Sequence, residues 1–92
     1  MNFYVDSSFI WGGKPKSCFN CPIALAIKTK LKLSLLDVAV TYSYIRIKKV
    51  KYETPEIVKR FLDSYDLGHK VTPIYISLEE LHVKEGTVSV ST

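Results

Sequence analysis

Two cysteines two residues apart, Cys18 and Cys21, run directly into a proline-led apolar stretch, Pro22–Leu31, studded with lysines at its end. Proline costs nothing in the first turn of a helix, where its missing N–H would have had no acceptor, so the spacing predicts a helix starting at the second cysteine. Asn20 is the expected cap. Ile23, Ala26, Ile27 and Leu31 fall on one face at helical spacing, while Lys28, Lys30 and Lys32 suit the negative end of the helix dipole.

A second helix is announced by Thr54 as cap, Pro55 at the first helical position and Glu56 in the first turn. Ile57, Val58, Phe61, Leu62 and Tyr65 form its apolar stripe, and Gly68 supplies a left-handed stop. Between and around these helices the pattern changes to alternation. Residues 2–5 read as a strand ended by Asp6, Ser7 and Ser8, and residues 9–17 as a glycine- and proline-bearing loop. Residues 35–41 and 44–52 read as a hairpin around Tyr42 and Ser43; 71–78 forms a further strand and 87–90 a short edge strand. The expected class is α+β: two helices packed on one face of a four- to five-stranded, mainly antiparallel sheet in the order βαββαβ(β). A ferredoxin-like split βαβ arrangement is one candidate within it.

Ninety-two residues are enough for one domain with a single core, and 47% hydrophobic with 24% charged residues is ordinary globular composition. No apolar run approaches the roughly 20 residues that span a bilayer, and the N-terminal residues lack a basic segment followed by an apolar one. The expectation is a cytoplasmic protein with no membrane partner. The net charge of +4 is unevenly spread. Residues 1–52 hold nine Lys and Arg against two acids, and residues 53–92 hold four against seven. A basic half can attract nucleic acid or an acidic protein surface, or simply keep a small domain soluble. The candidate partner-binding residues are Lys14, Lys16, Lys28, Lys30, Arg46, Lys48 and Lys49, with Trp11. An aromatic beside lysines can stack on a base or a partner side chain, or fold back as a lid over the core. On the strand, the lysines can also serve to guard an edge against aggregation.

C-x-x-C turns two thiolates toward one ion and is half of many zinc sites. If the two helices lie antiparallel, the start of the first meets the end of the second, which brings His69 and Asp66 to the sulfurs. Cys18, Cys21, His69 and Asp66 are therefore the expected ligands of a structural zinc, with Asp6 and His82 competing for the fourth place. Two other readings stand beside it: reduced thiols at a helix start, or a redox pair of lowered pKa as in thioredoxin-like enzymes. Val71, Thr72 and Pro73 look like the strand that faces the cysteines in glutaredoxins. Against that, a hairpin replaces the helical crossover a parallel βαβ unit requires. Neither a nucleophile elbow nor a phosphate-binding glycine loop is present, so no catalytic residues and no small-molecule substrate are expected.

Taken together, Cys18-x-x-Cys21-Pro22-Ile23-Ala24-Leu25-Ala26, the Pro55-x-x-Val58-x-x-Phe61-Leu62-x-x-Tyr65-Asp66-x-Gly68 helix and Val71-x-Pro73-x-Tyr75 resemble a group of small phage-encoded α+β proteins. The resemblance covers most of Cys18 to Leu78. It implies an anti-CRISPR-type inhibitor of host defence, acting on a host protein such as a CRISPR effector nuclease by protein–protein contact. A small basic nucleic-acid-binding module is the alternative reading of the same residues.

Overall fold

The computed structural model describes residues 2–77. The expected strand at 87–90, and His82 as a competing ligand, lie outside the described residues. The fold is α+β with antiparallel strands: β1 (Asn2–Val5), α1 (Ser7–Gly12), α2 (Pro22–Leu31), β2 (Val38–Val40), β3 (Tyr44–Ile47), β4 (Val50–Glu53), α3 (Glu56–Asp66) and β5 (Ile74–Ser77).

The strands form two sheets, β1 with β5 and β2-β3-β4, rather than the single sheet expected. Hydrogen bonding at the edge of β2 accounts for the division. Val40 donates its amide to the Cys18 carbonyl at 2.8 Å, so the cysteine loop, not β1, occupies that edge. In the two-stranded sheet Phe3 faces Ile76 and Val5 faces Ile74, with Phe3, Val5 and Ile76 buried. The other face carries the Tyr4–Tyr75 pair, rings stacked at 4.4 Å and open to solvent. This is the period-two alternation of a half-covered sheet.

The predicted 44–52 strand is in fact a hairpin. Lys48 takes the left-handed backbone conformation (φ 57°), and β3 turns into β4 at Lys48 and Lys49. Nothing in these two lysines signals a tight turn, which ordinarily favours Asn-Gly. The anchor is instead the Lys48 amide, which donates to the Asp37 carbonyl at 2.6 Å. The segment before β2 also departs from expectation, since Leu35–Asp37 forms a 3-10 turn capped by Ser34.

Helix α2 starts where proline predicts, with Cys21 rather than Asn20 as the cap; its sulfur accepts the Ala24 amide at 3.4 Å. Its buried face, Ile23, Ala24, Ala26 and Ile27, packs on β1 and β2. Helix α3 starts one residue later than expected, with Pro55 as its cap rather than its first residue, and Thr54 does not cap it. The Thr54 hydroxyl is buried and donates to the Thr41 carbonyl at 2.8 Å, and the helix opens on the Pro55 carbonyl alone. Val58, Phe61 and Leu62 are buried, whereas Ile57 stays half exposed. Gly68 ends the region with the expected positive φ, 82°.

Candidate functional site

The end of α3 does meet the start of α2. A cavity of about 380 Å³ lies between them, and Cys18, Cys21 and Asp66 line it together with Lys16, Thr41 and Leu62. His69 is not part of that wall. It lines a separate cavity with Ile10, Trp11 and Tyr65, because the chain turns away after Gly68. Among the described residues no group of three or more His, Cys, Asp or Glu side chains is arranged to hold a metal ion.

Two residues expected as ligands carry structural hydrogen bonds. Asp66 accepts the Lys16 amide at 2.8 Å through Oδ1, which pins the 14–20 loop to α3. Cys21 caps α2 and is 2% exposed. Burial pushes the Cys21 thiol up, with smaller contributions from the nearby Asp66 and Cys18 in the same direction, against the stabilising amides of Ala24 and Ile23. Burial thus keeps this thiol protonated, so Cys21 itself is not an activated nucleophile.

The shift has a measurable consequence. In the unfolded chain the thiol ionises at its ordinary pKa, about 8.5, while in the fold it holds its proton to higher pH. The stabilisation is therefore present below about pH 8.5 and is lost as pH rises toward the folded value. Urea midpoints measured from pH 7 to pH 10 are expected to fall more steeply for wild type than for Cys21→Ser, which keeps a capping oxygen and does not titrate there. Parallel curves would mean that Cys21 ionises equally easily in both states.

The cationic candidates separate into two kinds. Lys28 is buried, and its ammonium donates to the Phe19 carbonyl at 2.6 Å. Arg46 spans two carbonyls, Lys48 at 2.6 Å and Leu36 at 2.9 Å, and so stitches the hairpin. Both lend hydrogen bonds to the fold, and only Lys28 is buried away from the surface. Lys14, Lys16, Lys30, Lys48 and Lys49 are exposed, but they sit at three separate places: the loop after α1, the last turn of α2 and the β3–β4 turn. Lys51 and Lys59 lie over the Tyr44 and Tyr42 rings, 4.6 and 5.4 Å from the centroids.

Trp11 does not form a lid; it is 88% exposed. It stands on α1, a helix that replaces the first half of the expected loop. Asp6 builds this helix by accepting the Ser8 and Phe9 amides at 2.9 and 3.3 Å. The Ser8 hydroxyl, at 2.6 Å, is the main cause holding the Asp6 carboxyl below the usual range. From α3 the Tyr65 hydroxyl donates to the Ile10 carbonyl at 3.1 Å. Asp6-Ser7-Ser8 before Phe9-Ile10-Trp11 was the available signal, a cap followed by apolar residues. It is equally a strand terminator.

No family model matches the sequence, and no curated protein or solved structure matches it either.

Proposed function

We propose that the protein is a small, non-enzymatic binding protein that inhibits a host defence nuclease by protein–protein contact, with Trp11 as its principal anchor. The observation behind this reading is the exposure of Trp11 on a helix fixed at both flanks. Tryptophan has only two side-chain torsions to fix on binding, and it is among the residues that dominate interface energies. The positive net charge suits an acidic patch on the partner better than mimicry of the nucleic acid that a nuclease binds.

Nucleic-acid binding is the competing reading. It is weakened by Lys28 and Arg46, whose donors are engaged by backbone carbonyls, and by the dispersal of the remaining lysines. The test is a cleavage assay with a CRISPR effector nuclease from a host, comparing wild type with Trp11→Ala. Because the ring is exposed, the variant should fold normally while inhibition weakens about thirtyfold or more, the roughly 2 kcal/mol expected of an anchoring residue. Undiminished inhibition by the variant would overturn the role of Trp11. Absence of inhibition together with salt-sensitive binding to DNA or RNA would favour the nucleic-acid module.

A further inference from the structure

We infer that the trough running from Trp11 to Ile57 binds an acidic peptide segment carrying two apolar anchors. This inference rests on the binding function proposed above and names the chemistry of the partner. The trough consists of two adjoining cavities. One, of about 310 Å³, is lined by Ile10, Trp11, Tyr65, His69 and Pro73. The other, of about 260 Å³, is lined by Ile57, Arg60, Phe61 and Ile74. Lys70 and Val71 line both, so they form the divider between two halves of one surface.

The lining is mainly apolar, and the formal charges among the described residues that line it are of one sign. Arg60 and Lys70 line the trough, and among the described residues no carboxylate does. Among the described residues no carboxylate pairs with Lys70. Arg60 contacts Glu56 at 3.5 Å, but both side chains are well exposed, so this pair is easily exchanged for a partner's carboxylate. An occupant complementary to this surface places one apolar side chain in each cavity and a carboxylate between them, over Lys70. Trp11 then closes one end of the apolar contact.

Trp11 is the one tryptophan in the chain, so its emission reports on the trough directly. The probe is a short synthetic peptide with two leucines separated and flanked by glutamates. Counterparts replace the glutamates with lysine or the leucines with serine. Titration of wild type with the acidic peptide is expected to give a saturable blue shift, weakened about tenfold or more by Lys70→Glu and by raising the salt from low to high. Neither counterpart should produce the shift. Absence of a saturable shift, an equal response to the lysine peptide, or undiminished binding by Lys70→Glu would overturn the inference. So would the same Lys70-dependent shift with a single-stranded oligonucleotide, which would assign the trough to nucleic acid. If the peptide fails while Trp11→Ala still loses nuclease inhibition, only the peptide inference falls. If the peptide binds through Lys70 but wild type inhibits no nuclease, only the functional reading falls.

Discussion

Replacing Phe3 by alanine is expected to remove about 3–5 kcal/mol of stability, the largest effect of any change considered for this chain. Phe3 is 1% exposed, sits opposite Ile76 in the β1–β5 pair and belongs to the core that includes Ile23, Ile27 and Val58. Deleting a buried phenyl ring loses its transfer energy and leaves a cavity that neighbouring side chains fill only in part. A domain of this size has in total about 5–15 kcal/mol to lose. The variant should therefore unfold at far lower urea than wild type, or be unfolded at 37 °C. Trp11→Ala removes a larger ring, yet belongs within about 0.5 kcal/mol of wild type because that ring is in water. Equal losses in the two variants would mean that β1 and α1 are not placed as described.

The second large effect separates two neighbouring glycines. A Cβ on Gly13 would lie 2.7 Å from Cδ and 2.8 Å from the backbone nitrogen of Pro22. That ring cannot swing aside, because Pro22 is buried at the start of α2. Gly13 cannot retreat either, since its amide donates to the Phe9 carbonyl and the next amide, Lys14, donates to the Asn20 carbonyl, both at 2.8 Å. Gly13→Ala is thus expected to cost about 1–3 kcal/mol, in the manner of an overpacked core. Gly12, one residue earlier, has nothing within 4 Å of its Cβ position and lies in α1. Alanine there should be neutral or stabilising by up to about 1 kcal/mol, through the reduced freedom of the unfolded chain. Thermal melts of the two variants should move in opposite directions, or one should stay still while the other falls. If both fall equally, the close approach of Gly13 to Pro22 is absent.

The features that could be read from the sequence are those fixed by local chemistry. Pro22 and Pro55 lock the backbone for helix entry, so α2 begins where predicted and α3 one residue later, with Pro55 as its cap. Gly68 takes the left-handed turn for which it was singled out. The features that could not be read depend on partners distant in sequence. Thr54 looks like a cap in isolation, but the Thr41 carbonyl competes for its hydroxyl. Lys28 and Arg46 look like surface charges until the Phe19, Leu36 and Lys48 carbonyls come within reach. For the site, the thiol pair and Asp66 line one cavity, whereas the position of His69 depended on the path after Gly68. The trough was missed for a similar reason. Its walls come from α1, α3 and the segment before β5, and no single stretch contains enough of it to stand out.

The bond that seals the rim of β2 is made by the peptide oxygen of residue 18, not by its sulfur. Any non-clashing amino acid would offer the same oxygen, so this bond does not depend on the thiol. Residue 21 is different, because its side chain is enclosed and caps a helix. Substitution is therefore expected to cost more stability at 21 than at 18. The pair can drift apart as a motif in descendant sequences while the molecule keeps its shape.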